Sequence, residues 1–444
     1  MEKNRADLIV KARFVITFSD DEKDVVEDGA VIIKDGRILD ILKINEAERL
    51  YDAATTIEGE NHVVLPGFVN THTHAAMVYF RGMADDLPLK VWLEEHIWPA
   101  ESKMLSPEFI RDATELACLE MIKAGVVLFN DMYFYEEASA EVIKKAGMRA
   151  VLGAGVLDFP TSIAQNTDEY LQKAETFIKQ FRDDPLVVPA ISPHAPYTCS
   201  PETYKRAISI AEKYSVPVHT HLSETQWEVE EIKKLYGATP IEHLERHGLL
   251  RDFMLAAHVV WPTEQEMDIL ARRGVSVSHC LESNLKLASG IAPVVRMMKR
   301  GVRVTIGTDG AASNNDLDVL GELSVVSKIH KAMEGDPTVL DAKTSLKMAT
   351  TLGYEALGLA NVAGRLKKGM AADLIMIDLR KPHLMPLYDV FSHLVYSAKS
   401  SDVSTVIING RVIMKDYKVL TIDEEEVYTR ASNWKKRIQE AFNG

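Results

Sequence analysis

Val64-Leu65-Pro66-Gly67-Phe68-Val69-Asn70-Thr71-His72-Thr73-His74 runs an apolar strand straight into two histidines spaced i, i+2. Side chains on a strand alternate between faces, so His72 and His74 point the same way. Two imidazoles side by side at the C-terminal end of a strand make half of a metal site. The other half must come from elsewhere, which calls for a fold that gathers several strand ends on one rim.

The chain downstream supplies such a fold. Short apolar runs read as buried strands at 125–130, 149–155, 187–192, 216–221, 255–260, 275–279 and 303–308, and the strand ending at His72 brings them to eight. Helical stretches separate them, among them 107–124, 201–214 and 263–273. Eight β–α repeats predict an α/β chain built on a (β/α)8 TIM-type barrel. An open doubly wound sheet is the alternative. The barrel is preferred because histidines and carboxylates follow so many different strands, as a barrel mouth requires. Outside the repeats the chain reads as β-rich at both ends: 7–18, 30–41 and 56–65 first, then 372–377, 403–408 and 411–415. Asp35-Gly36 and Asn409-Gly410 punctuate these runs as hairpin turns.

Composition narrows the function. The 444 residues exceed one ordinary core. Lys+Arg 51 against Asp+Glu 65 leaves a net charge of −14, which disfavours a nucleic-acid partner. Cys118, Cys199 and Cys280 are scattered, so neither a disulfide framework nor a thiolate zinc site is expected. No stretch reads as a signal or membrane segment, and a cytoplasmic location is the expectation. Walker-A, GxGxxG, GxSxG and HExxH patterns are missing.

The strand ends carry the chemistry. Strand one ends in His72 and His74, and strand four in His194. Strand five ends in His219, His221 and Glu224, strand six in His258, strand seven in His279 and strand eight in Asp309. Three imidazoles and a carboxylate suit Zn²⁺ or Fe²⁺ better than Mg²⁺ or Ca²⁺. His72, His74, His221 and Asp309 are the expected ligands, with a position left for water. His219 shares strand parity with His221; the spacing to Glu224 favours His221. His96, His243, His247, His330, His383 and His393 read as surface or helix residues.

The stretches PGFVNTHTH, HTHLSE, AAHVV and GTDGAASNN, in this order, resemble the amidohydrolase superfamily in its mononuclear-metal deaminase branch. Gly369-Met370-Ala371-Ala372-Asp373-Leu374 and the Asn409-Gly410 hairpin look like that family's small composite β-sandwich, so the likeness covers essentially the whole chain. It implies three parts: 1–62 and 368–444 as the two parts of the sandwich, and 63–367 as the barrel. Within the superfamily the chain is similar to the 5′-methylthioadenosine/S-adenosylhomocysteine deaminases, through 74–77, 87–93, 99–101, 147–149 and 283–291.

That resemblance implies hydrolytic deamination at C6 of an adenine nucleoside, giving the inosyl product and ammonia. It implies one divalent metal per subunit, Zn²⁺ first with Fe²⁺ or Mn²⁺ as alternatives. Glu224, His258 and Asp309 are the expected catalytic residues. Glu101 is expected on the ribose hydroxyls, and Arg149, His194, Glu224, Asp309 and Trp92 at the substrate. The expected partner is a small purine nucleoside, with no nucleic acid and no membrane, in a homo-oligomer. Met77, Met83, Leu87 and Trp92 are candidates for an apolar wall around a thioether. One departure concerns the tail: some relatives use a second arginine for the homocysteine carboxylate, and 150–180 contains none. The alternatives are guanine or oxopurine deamination, triazine hydrolysis, and a non-catalytic scaffold of the same fold. No lysine on strand four could bridge two metals, and the cytidine-deaminase PCxxC signature is missing.

Overall fold

A computed structural model describes residues 3–19 and 23–443. Five strands open the chain: β1 (Asn4–Ile16), β2 (Val25–Lys34), β3 (Arg37–Lys43), β4 (Tyr51–Ile57) and β5 (His62–Pro66). Eight follow at the centre: β6 (Phe68–Thr73), β7 (Val126–Tyr133), β8 (Arg149–Val156), β9 (Val187–Pro193), β10 (Val218–Leu222), β11 (Met254–His258), β12 (Ser276–His279) and β13 (Val304–Ile306). Four close it: β14 (Leu374–Asp378), β15 (Val403–Ile408), β16 (Arg411–Lys415) and β17 (Lys418–Val419).

The central strands pair in sequence order from β6 to β13, all parallel. The last strand meets the first at the mouth, where Asp309 N–H donates to the His72 carbonyl at 2.9 Å. Thr308 N–H donates to Asn70 Oδ1 at 3.1 Å beside it. This is the barrel expected from the eight repeats. Its strands are buried on both faces, hence their continuous apolar runs in place of alternation.

The strands from the two chain ends form one further sheet, in the order β17-β16-β15-β14-β5-β1-β2-β3, with β4 on β1. Its halves join where β14 lies antiparallel to β5, Leu374 opposite Pro66 and Asp378 opposite His62. Leu8, Val10, Val31, Ile33, Val64, Leu374 and Ile407 supply its own apolar core. Both expected hairpin turns are present with positive φ at both central residues, Asp35 (50°) and Gly36 (76°), Asn409 (50°) and Gly410 (73°). That is the conformation whose twist matches the strands. The two turns abut, and a Cβ on Gly36 would lie 2.7 Å from the Asn409 carbonyl oxygen.

Two readings need correction. The run 56–65 is two strands: β4 and β5 pair with different stretches of β1, and Gly59 fills the gap by accepting from Arg13 N–H and His62 N–H. The helix Glu424–Asn443, counted above with the sandwich, lies on the barrel helix Pro107–Lys123. Trp434 Nε1 donates to Asp112 at 2.8 Å, and its ring meets Phe109 edge-on at 5.1 Å.

Barrel and outer sheet are clamped through one carboxylate. Asp373, fully buried before β14, accepts from Arg149 Nε at 2.8 Å, Arg149 Nη2 at 3.3 Å, Tyr354 Oη at 2.7 Å and Asn409 N at 2.7 Å. Burial alone would lower the Arg149 pKa; Asp373 and Tyr354 outweigh it and raise it. Replacing Asp373 by Ala strands a buried guanidinium, and the expected cost is about 3–5 kcal/mol. The check is a lower melting temperature with kcat per folded molecule unchanged, because the clamp lies at the barrel end away from the histidines.

Candidate active site

His72, His74, His221, Glu224, His258 and Asp309 stand at, or just past, the C-terminal ends of barrel strands, where the chain bends outward, whereas Trp92 and Glu101 come from the helices Trp92–Ile97 and Trp98–Met104. Ser223, His258 and Asp309 have positive φ (51°, 74° and 64°), a conformation that a non-glycine residue holds only under surrounding constraint. Gly307 permits the close approach of β13 to β6: a Cβ there would lie 2.9 Å from both the Cβ and the N of His72.

His72, His74, His221 and Asp309 converge. His72 Nε2 and His74 Nε2 lie 3.4 and 3.3 Å from Asp309 Oδ1, and His221 Nε2 lies 3.2 Å from His74 Nε2. The second nitrogen of each ring shows which way the lone pairs face. His74 Nδ1–H donates to the Met132 carbonyl at 2.7 Å and His221 Nδ1–H to the His194 carbonyl at 2.9 Å. Both Nε2 atoms therefore turn bare lone pairs toward each other. His72 Nε2 is buried without a hydrogen-bond partner. Converging lone pairs repel unless a cation lies among them, so this donor set fits a divalent metal. Its protonation states agree: burial pulls His72 down to about 4 and His221 well below the usual imidazole range. Both are then neutral, the form that binds metal. Burial would raise the Asp309 pKa, but His72, His74 and His258 hold it well below the ordinary carboxylate range. Its oxygens also accept from Ser283 Oγ (2.7 Å), Ser313 Oγ (2.9 Å) and Gly310 N–H (2.7 Å).

His219 stands behind this cluster. Its Nε2 lies 2.8 Å from His72 Nδ1, so it orients that ring from the side away from Asp309. His258 is closer to the cluster than its sequence position alone implied, since its ligand atom groups with those of His72 and His221. His258 Nδ1–H donates to Asn284 Oδ1 at 2.9 Å, which turns Nε2 toward Glu224 Oε2 at 3.8 Å. Burial lowers the His258 pKa, but Glu224 and Asp309 reverse this and the net shift is upward. Burial raises the Glu224 pKa, against the pull of His258.

A cavity of about 550 Å³ opens above these groups. Trp92, Glu101, His194, Glu224, His258 and Asp309 all line it. Glu101 accepts from Tyr133 Oη at 2.6 Å; enclosure pushes its pKa up to about 7, with the Tyr133 hydroxyl pulling the other way. A wider cavity of about 880 Å³ adjoins it, sharing Trp98, Phe159 and Tyr197. Of the expected apolar wall, Met77 and Trp92 line the inner cavity and Leu87 the outer one, while Met83 packs against the core.

Arg149 is not brought to the site. It is the first residue of β8, at the opposite end of the strand from the rim, and its guanidinium is spent on Asp373 and the Pro185 carbonyl. The expectation that it meets substrate is overturned. His330, read as surface or helix, is on the helix Val319–Glu334 but buried, with Nε2 3.1 Å from His279 Nε2. Residues that the sequence reading missed are Tyr133, which holds Glu101, and Asn284, which aims His258. Tyr133 was within reach, since it ends β7 on the same rim. Asn284 sits on the helix Leu281–Lys286 after β12 and carries no strand-end signal.

A model of the amidohydrolase family matches residues 63–413. The chain is 50% identical over 433 residues to a 5-methylthioadenosine/S-adenosylhomocysteine deaminase of Thermodesulfovibrio yellowstonii, covering 97% of this chain and 98% of that one. It is 46% identical over 425 residues to a 5′-deoxyadenosine deaminase of Methanosarcina barkeri, covering 95% and 96%. Among solved structures it is similar to an adenosine deaminase from Xanthomonas campestris with bound zinc, at a TM-score of 0.97 and 40% identity over 99% of this chain and 100% of that one. With a parallel barrel, histidines and a carboxylate gathered from its first, fifth and eighth strand ends, and a family match across the whole barrel, this chain belongs to the amidohydrolase family.

Proposed function

We propose that this protein is a zinc-dependent aminohydrolase that deaminates adenine nucleosides at C6, releasing ammonia and the inosyl product. The observation that carries the proposal is one cavity lined by His74, His221 and Asp309, with His72 buried against them, together with a buried acid at Glu224 and a carboxylate at Glu101 held by Tyr133. The names of the relatives support an adenine nucleoside with a variable 5′ position, because they share the adenosine core and differ only there. The adjoining outer cavity supports room for larger 5′ substituents, S-adenosylhomocysteine included.

His72, His74, His221 and Asp309 would hold one zinc ion per subunit. When bound, the metal lowers the pKa of water to about 7, which makes a nucleophile for C6 available at neutral pH. Asp309, ionised and fixed by three donors, takes the proton of the attacking water. Glu224, with its raised pKa, protonates the ring nitrogen N1 as C6 becomes tetrahedral. His258 presents Nε2 on the Glu224 side and orients the attacking oxygen. The proton held by Asp309 then passes to the C6 amine; as the C6–N bond breaks and ammonia departs, the C6 hydroxyl becomes the carbonyl and gives its proton back to Glu224. Glu101 accepts from the ribose hydroxyls, and His194, lining the same cavity, supports substrate contact.

Four results test this reading. Chelation should abolish ammonia release from methylthioadenosine, and zinc should restore it at one equivalent per subunit. Restoration at two equivalents would contradict a mononuclear site. Glu101→Ala should raise KM for nucleosides by about 10- to 100-fold, the loss of a charged hydrogen-bond acceptor, with little effect on any free base turned over. An equal effect on both would remove the ribose role. The ionised form of Glu101 is the better acceptor and predominates above its pKa of about 7. Nucleoside KM should therefore fall as pH rises through that range, and Glu101→Gln should flatten the dependence. Turnover of guanine with none of methylthioadenosine, S-adenosylhomocysteine, adenosine or 5′-deoxyadenosine would overturn the substrate assignment while keeping the metal site.

A further inference from the structure

The helix Glu264–Arg273 shows what a glutamate in the first turn ordinarily does here. Thr263 caps it, and Glu266 reaches back to accept from the Thr263 N–H at 2.7 Å, a closed capping box. The helix Gln226–Tyr236 starts with the same pair of residue types. Thr225 caps it, and its Oγ1 accepts from Glu228 N–H at 3.1 Å. Yet Glu228 does not return to the cap. Its Oε1 accepts from Ser223 N–H at 3.0 Å and its Oε2 from Glu224 N–H at 2.7 Å.

Glu228 thus reaches past its own cap and binds two successive main-chain donors with both oxygens. It does so from the interior, with 1% of its surface exposed. The turn it grips is strained, with Ser223 at a positive φ of 51°. From the other side Val260 N–H and Trp261 N–H donate to the Ser223 carbonyl, at 3.0 and 3.2 Å. That peptide is held at both ends, and the residue it presents to the cavity is Glu224. Glu228 itself does not line the cavity.

We propose that Glu228 is a positioning residue for the reaction, fixing the Glu224 carboxylate by holding the Ser223–Glu224 main chain. The inference rests on the role of Glu224 proposed above. Proton delivery to a ring nitrogen depends on placement, and a displacement of about 1 Å costs roughly 100-fold in rate.

The test is a double-mutant cycle on the zinc-loaded enzyme, with methylthioadenosine as substrate. In Glu228→Gln the amide can accept from only one of the two N–H groups and turns its own NH₂ against the other. Its kcat should fall by about 10- to 100-fold. KM and zinc content should stay at parent values, because Glu101 and His221 are held by other partners. Glu224→Gln and the double variant complete the cycle. If Glu228 acts through Glu224, the double variant matches Glu224→Gln within about twofold. Losses that multiply overturn the positioning role alone and leave the deaminase reading standing. So does a Glu228→Gln enzyme with parental kcat, or one whose KM and zinc content collapse together. A Glu224→Gln enzyme as active as the parent overturns the role of Glu224 and this inference with it. Should Glu228→Gln not fold, Glu228→Asp, which keeps the charge on a shorter stem, is read through the same cycle with the same criteria.

Discussion

The N–H of Asp309 donates to the carbonyl of His72, and most of the site depends on that bond. It joins the first barrel strand to the last at the mouth, so the two residues that close the barrel also place their side chains in the histidine–carboxylate cluster. A barrel cannot change its closing register without moving every strand-end side chain. Gly307 keeps the strands near enough for the bond to form. A cation among His72, His74, His221 and Asp309 would tie the first barrel strand to the last, so metal binding and barrel closure would be one constraint.

Around this seam the carboxyl groups are sorted by environment. Asp309 faces imidazoles and three hydrogen-bond donors and stays ionised. Glu224, at similar depth, feels burial more than the charges around it and is shifted upward. Groups of one chemical type driven apart in this way suit acid and base duties in one reaction. Glu101 stands apart from the histidine cluster on the cavity wall, with the Tyr133 hydroxyl as its partner.

Much of this could be read from the chain. HxH at the end of an apolar run means two imidazoles on one face whatever the fold, because strand parity is local. The eight repeats and the two hairpin turns were legible for the same reason, since periodicity and positive-φ turn residues act within a few positions. His219 and His221 share strand parity, and the structure places them differently: His221 Nε2 lies 3.2 Å from His74 Nε2, whereas His219 stands behind His72. Arg149 shows where such reading fails. Its position in a strand was evident, but a strand has two ends, and the first residue of β8 faces the clamp to the outer sheet, not the substrate.

Sequence alone determined the repeating α/β pattern and which imidazoles and carboxylates stand at the strand ends, because these follow from residue identity and backbone periodicity. Tertiary structure alone decided the partners of those side chains. Tyr133 on Glu101, Asn284 on His258, Ser283 on Asp309, and Asp373 on Arg149 join residues from separate stretches of the chain, from 26 to 224 positions apart. No local periodicity encodes such a pairing. It exists only once the barrel closes and brings its loops over one rim, and that geometry sets the burial and the hydrogen bonds from which each group takes its role.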